Sequence, residues 1–437
     1  MGLRRVLGAG DAAWLVAGNM IGAGIFVTPG LVAARLPGAA WVLGAWLLGG
    51  LLSLAGAAIY AELGARVPRA GGDYQYLNAA FGPMWGFLTG WAAFTLTFSA
   101  STAALAIAAI GYLGRAVAPT SGLPPAAIPI AGAALVLGLS AANAAGARVS
   151  KRLTAAATAI PVAGVIALFV IGFARHPDRV RWPADALAAP VEFWPLALGA
   201  ALLPIYFTYA GWNSAAYVAE EMLEPERDLP RALLAGTGLV TLLYLGINAA
   251  FLCAVPAPEL AGSTAAGAEA ARRLLGPAAE RALSALIAVA VVGSANVTLM
   301  AGARIFYAMA ADGLAPCALA AVNRAGVPGA AVWTGGIMAA LLAATGTFAR
   351  LVSWATLAIL LFSALAAASL FVLRRRGSRG AAYRCPGYPF VPAAYFMTSL
   401  VILAASTAAD PLSAGLGLLV VAAGVPAFVF ARRRSRG

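Results

Sequence analysis

Apolar stretches of 18 or more residues recur from one end of this chain to the other, and they constrain its fold more than any single motif. A bilayer core offers no water to a backbone, so each stretch must satisfy its own amides and carbonyls as a helix. With 62% hydrophobic and 10% charged residues, little chain is left over for a soluble domain. The expected fold is an all-α polytopic membrane protein, one membrane domain over residues 1–437. Twelve spans are expected, at 11–34, 41–63, 84–113, 126–143, 155–173, 193–218, 232–255, 282–308, 330–345, 351–373, 388–405 and 412–430.

Charge placement sets an orientation. With both termini on the cytoplasmic side, 19 of the 29 Lys and Arg residues fall in inner segments, as the positive-inside rule requires. The largest groups are Arg374-Arg375-Arg376 with Arg379 and Arg384, the tail Arg432-Arg433-Arg434 with Arg436, and Arg148, Lys151 and Arg152. The loop with Arg175, Arg179 and Arg181 runs against the rule. A net charge of +13 spread through short loops suits anionic inner-leaflet lipid, not nucleic acid. The first apolar run follows Arg4 and Arg5 without a small-residue cleavage pattern, so it is expected to stay as a span. Three cysteines (Cys253, Cys317, Cys385) give no disulfide or metal framework, and the single His176 reads as a solvated loop residue.

Within the first span, Gly18-Asn19-Met20-Ile21-Gly22-Ala23-Gly24-Ile25-Phe26 is poorly suited to a continuous helix. Opened backbone at membrane depth is tolerated where it lines a cavity, which points to a solute pathway. The sixth span carries a second interruption, Phe207-Thr208-Tyr209-Ala210-Gly211-Trp212-Asn213, five spans later. That spacing predicts inverted repeats, one over about 11–175 and one over about 192–376, with added helices over about 388–430.

The chemistry follows from helix ends. A half-helix beginning near Ala23, Gly24 and Ile25, with Gly22 before it, offers free amides and roughly half a positive elementary charge, a site for a carboxylate. A half-helix ending near Phe207 offers the carbonyls of Phe207, Thr208 and Ala210 to an ammonium group. Facing each other, the two describe an α-amino acid; the alternative is that Gly22 and Gly24 merely let helices pack closely. Glu220 and Glu221 are gating candidates as part of an inner salt bridge, with solvated helix-end charges the alternative. The connection 63–82, with Arg66, Arg69, Asp73, Tyr74 and Tyr76, is a second gating candidate, and 258–277 reads as a surface helix over the outer mouth, with a plain connecting loop the alternative for each. No catalytic constellation, cofactor site or metal site is visible, so an enzyme is not expected.

These segments resemble the amino acid–polyamine–organocation superfamily, and the L-type amino-acid-transporter-like branch in particular. The resemblance is carried by Gly18 through Ile25-Phe26-Val27-Thr28-Pro29-Gly30, by the sixth-span segment followed by Glu220-Glu221-Met222, by Tyr60-Ala61-Glu62-Leu63 with Gly71-Gly72, and by Asn296 through Arg304 to Asp312-Gly313-Leu314. It implies a leucine-transporter-type five-plus-five inverted repeat working by alternating access, with substrate held at the first and sixth helices and Trp212 near the site as a gate, or else as an aromatic packing residue. Many relatives carry a lysine in the fifth helix, and alignment puts Pro161 at that position. The expected function is secondary transport of amino acids across the cytoplasmic membrane, by exchange or with protons. A polyamine or organic-cation carrier is the alternative within transport, and a membrane receptor or channel the alternative outside it. No accessory subunit is expected.

Overall fold

The computed structural model describes residues 5–434 except 23, 37, 118–122, 180–193, 264, 346–347 and 378–381. The first span is a bent pair, α1 (Ala9–Met20) and α2 (Gly24–Ala33), meeting at 49°. α3 (Ala39–Arg66) returns across the layer and leads into the short α4 (Asp73–Phe81). The span Pro83–Val117 consists of α5 (Pro83–Ala92), a π-helical turn at Ala93–Thr97 and α6 (Phe98–Val117). α7 (Ala127–Ala145) and α8 (Ala147–Arg175) follow.

α9 (Trp194–Tyr209) stops at a turn and resumes as the single turn α10 (Ser214–Tyr217) before α11 (Pro225–Ala254). α12 (Ala257–Leu260) and α13 (Ala266–Leu275) are short surface helices. The chain then runs through α14 (Pro277–Ala311), α15 (Gly329–Thr345), α16 (Phe348–Arg375), α17 (Phe390–Ala409) and α18 (Pro411–Arg434). Among the described residues, eight helices are long and apolar enough to cross a membrane, one bent pair makes a ninth span, and three shorter apolar helices stand at the remaining expected positions.

Helix ends depart from the expected span edges where polar residues extend a helix beyond the apolar layer. α8 begins at Ala147 and α11 at Pro225, both ahead of their hydrophobic stretches. Proline as the first residue of α5, α11 and α14 fits this, because its missing amide has no helical acceptor there anyway. The surface helix expected over 258–277 is divided into α12 and α13. α13 sets Ala266, Ala270, Ala271 and Leu274 against α2, α8 and α14, and the Gly262 amide donates to Gly30 O at the end of α2 (3.0 Å).

α14 is the central helix, packed against α1, α6, α8 and α15, and residues 293–306 are buried on every face. Its polar side chains therefore need internal partners. Asn296 Nδ2 donates to Ser150 Oγ and Thr154 Oγ1, both at 3.0 Å. Asn143 Nδ2 donates to Asn296 Oδ1 (2.7 Å) and Ser150 Oγ to Asn143 Oδ1 (2.9 Å), closing a ring between α7, α8 and α14. The outer helices show the opposite pattern, exposing Leu242, Val401, Leu412 and Leu419 as faces that meet lipid tails require.

Candidate substrate site

Both interruptions open into one cavity of about 430 Å³. Gly22 and Gly24 line it from the first span, Phe207, Thr208, Ala210 and Gly211 from the second break, and Ser294 and Thr298 from α14. Ala23 lies outside the described residues. Ile25 is not among the lining residues, and its side chain is fully buried in the core. The first amides of α2 have no acceptor within their own helix, so the positive end of that half-helix faces the cavity.

The carbonyls that end α1 each accept one hydrogen bond from a neighbouring helix. Asn19 O accepts from Ser294 Oγ (2.8 Å) and Met20 O from the Tyr244 hydroxyl (2.6 Å). The Asn19 side chain accepts from Thr298 Oγ1 at 2.8 Å. Each of these carbonyls keeps a second lone pair, so the cationic character of the first break comes from the amides that open α2.

At the second break, α9 runs to Tyr209, two residues past the expected end at Phe207. Phe207 O accepts from the Ala210 amide (3.0 Å), and Thr208 O lies 3.3 Å from the Tyr244 hydroxyl. The expectation that these carbonyls are wholly free is therefore corrected. A carbonyl oxygen has two lone pairs, however, so each retains acceptor capacity for an ammonium group. Gly211 makes the turn at φ +105°, a backbone shape that a side chain resists, and a Cβ there would lie 2.9 Å from Asn19 Nδ2.

The two breaks also touch directly. Thr208 Oγ1 donates to Pro204 O (2.8 Å) and lies 2.7 Å from Thr28 Oγ1, while a Cβ on Gly24 would meet Thr208 Oγ1 at 2.8 Å. Glycine at position 24 is thus required by the neighbouring helix as well as by access to the amides. In α8, the residues beside α1 are Thr154 and Thr158, and a Cβ on Gly18 would fall 2.5 Å from Thr158 Oγ1. The helix passes Pro161 without ending, and it is hydroxyl-bearing Thr158 that stands against the first half-helix.

The gating candidates separate. Trp212 is buried edge-on to Tyr60 (4.8 Å between centroids) and Tyr395 (6.2 Å), and it is not part of the cavity lining. Glu221 makes a two-pronged pair with Arg304, with Nε to Oε1 at 2.7 Å and Nη2 to Oε2 at 3.2 Å. The two side chains are only 2% and 1% exposed. Glu220 is partly exposed and lies near Tyr307 instead. The Glu221 carbonyl accepts from the Val6 and Leu7 amides (2.9 and 3.0 Å), and Leu223 N donates to Leu7 O (2.9 Å), so the N-terminal segment straps this face. Nearby, Glu62 receives Arg66 Nε (2.9 Å), Arg374 Nε (2.9 Å) and the Cys385 amide (2.8 Å).

The cavity extends from Arg35, beyond α2, to a floor containing Asp73 and Tyr217. Tyr217 donates to Asp73 Oδ2 (2.8 Å) and accepts from Asn213 Nδ2 (2.9 Å). Burial pushes the Asp73 carboxyl up to about 6, while the neighbouring Tyr60 and Tyr217 hydroxyls pull it the other way. Tyr244, Asn19, Ser294 and Thr298 were not singled out from the sequence; their signal is polarity inside apolar spans, with Ser294 and Thr298 four residues apart on one helix face.

A cavity between two interrupted helices in an all-helical polytopic protein defines a secondary transporter. Comparison with known proteins agrees on the class: the amino acid permease family model matches residues 7–425, and the chain belongs to that family. It is 31% identical to the serine/threonine exchanger SteT of Bacillus subtilis, over 99% of this chain and 98% of the relative. It is 28% identical to the human large neutral amino acids transporter small subunit 2, over 98% of this chain and 80% of the relative. The mouse Asc-type amino acid transporter 1 is also 28% identical, with 98% and 81% covered.

Proposed function

We propose that this protein exchanges neutral α-amino acids across the cytoplasmic membrane by alternating access. The observation that carries the reading is the opposed pair of helix ends on one cavity: amides of Gly24 and Ile25 for the carboxylate, carbonyls of Phe207, Thr208 and Ala210 for the ammonium group. The exchanger and transporter functions named for the relatives support the substrate class and the exchange mode. Residues about 11–175 and 192–376 are read as the inverted repeats, each beginning with an interrupted span.

With both termini placed in the cytoplasm by the basic residues, the cavity reaching Arg35 opens outward, and the contacts of Glu221, Arg304 and the N-terminal strap close the inner side. No disulfide-linked accessory chain enters this reading, since Cys253 is in a span and Cys317 and Cys385 lie in loops on the inner side. Radiolabelled serine, threonine or a larger neutral amino acid is expected to enter proteoliposomes preloaded with unlabelled amino acid much faster than empty ones. Uptake into empty vesicles that follows an imposed pH gradient, with no acceleration by preloading, would show proton symport and overturn exchange.

A further inference from the structure

The Asp73 carboxyl at the cavity floor is tied to a hinge. Gly71 and Gly72 precede it at φ +111° and +49°, and the Gly71 amide donates to Tyr217 O at 3.2 Å. The Tyr217 ring lies over the backbone of Gly72, where a Cβ would meet it at 2.6 Å. Tyr217 of the second broken span thus contacts the start of α4 by its backbone, its ring and its hydroxyl, which holds Asp73 Oδ2 (2.8 Å).

Asp73 Oδ1 and the Tyr60 hydroxyl are buried near each other, close enough to interact but without a hydrogen bond of ordinary length to any described residue. The groups that face Asp73 are phenols: Tyr60 from α3, Tyr217 from α10, Tyr76 from its own helix and, at longer range, Tyr206 from α9 and Tyr395 from α17. The charged groups on neighbouring elements are engaged elsewhere. Arg304 pairs with Glu221, Arg66 and Arg374 with Glu62, Arg376 bonds Ala79 O, and Asp312 takes the Tyr74 hydroxyl. Arg69 is exposed. A carboxylate in this setting has no cation to offset its burial, whereas a carboxylic acid has a proton to donate. Asp73 Oδ1 is also too enclosed to meet a dissolved cation, so the ligand it suits is a proton.

We infer that Asp73 is a proton-binding site whose occupancy is coupled to closure of the cavity floor, so that acid holds the floor shut and slows exchange. The inference rests on the exchange function proposed above. Opening at the glycine hinge separates Asp73 from Tyr217 and returns it to water. Its carboxyl, near 6 when the floor is closed, then falls back towards the ordinary value of 3.8. The state with the higher value binds more protons, so lowering pH favours closure. Going from about pH 7.5 to about pH 5.5 shifts the balance towards the closed floor by about fourfold.

The test is amino-acid exchange in proteoliposomes at equal pH on both sides, which removes any driving gradient. Wild-type exchange is expected to fall about fourfold between about pH 7.5 and about pH 5.5, and Asp73→Asn to show no fall of that kind. Tyr217→Phe, which removes the donor that favours the anion, is expected to move the fall to higher pH. A flat wild-type profile, an Asp73→Asn profile that falls like wild type, or an unshifted Tyr217→Phe profile would each overturn the inference. Amide hydrogen exchange over residues 69–81 gives a readout independent of transport. Protection in wild type relative to Asp73→Asn is expected to rise about fourfold over the same pH step, and a constant ratio would overturn the inference. Failure of the wild type to exchange any amino acid while this ratio moves would instead count against the exchange reading alone.

Discussion

The two glycines of the first break predict different consequences for the same substitution. A Cβ added at Gly22 would lie 3.7 Å from Leu105 Cδ2 and Ser294 Oγ, ordinary contact, and would project into the cavity. A Cβ at Gly24 would lie 2.8 Å from Thr208 Oγ1, 2.9 Å from its Cγ2 and 3.1 Å from its Cβ. Thr208 is held by Pro204 O and Thr28, so it has little freedom to swing away. Gly22→Ala is therefore expected to leave folding stability within about 0.5 kcal/mol, the range for substitutions that create neither strain nor voids.

Its effect falls on substrate. If the new methyl keeps the carboxylate from one or two amides of α2, the loss is about 1–3 kcal/mol per unpaired group, or roughly ten- to a hundredfold in Kd. Gly24→Ala is expected to lower both stability and affinity, because it also wedges α2 from α9. Adding Thr208→Ala removes the two shortest contacts and should restore stability without restoring affinity to the same extent. The assays are thermal unfolding in detergent and ligand-induced thermal shift with neutral amino acids. Wild-type affinity in Gly22→Ala would refute the placement of the carboxylate at this opening. Wild-type stability in Gly24→Ala would refute the close approach of the two broken helices.

Glu221→Gln leaves the Arg304 charge buried without its partner and is expected to cost about 3–5 kcal/mol of stability, most of it recovered in the double variant Glu221→Gln/Arg304→Met; thermal unfolding of the three proteins checks this. Tyr244→Phe strips the hydroxyl from Met20 O and Thr208 O, so a loss of about 1–3 kcal/mol is expected by unfolding, together with slower exchange in proteoliposomes.

The spans were legible because lipid imposes a rule on every residue it touches, and the rule can be read locally. Helix ends were less so: Lys151 and Arg152 in α8, and Arg227, Asp228 and Arg231 in α11, are helical residues that hydropathy assigns to loops. The glycines of the first break were visible as departures from good helix. Their companions were not, because Tyr244 bonds Met20 across 224 positions and Ser294 bonds Asn19 across 275. The pair Glu220-Glu221 shows the same limit: the sequence marks both as gate candidates, and only packing selects Glu221 as the partner of Arg304. At the fifth helix, alignment pointed to Pro161, whereas the helix face turned to α1 carries Thr158.

The closed ring of Asn143, Asn296 and Ser150, with Thr154 attached through Asn296, has a consequence for how this chain can diverge. An open chain of polar contacts can lose its last member and leave one group unpaired, but a ring has no last member. Any single change from Asn143, Ser150 or Asn296 to an apolar residue takes a hydrogen bond from each of its two buried neighbours. Drift at these positions should therefore be joint, with the set either kept or exchanged together for a well-packed apolar set. A natural variant with one of these three replaced and the others intact would identify a second route by which α7, α8 and α14 can be held together.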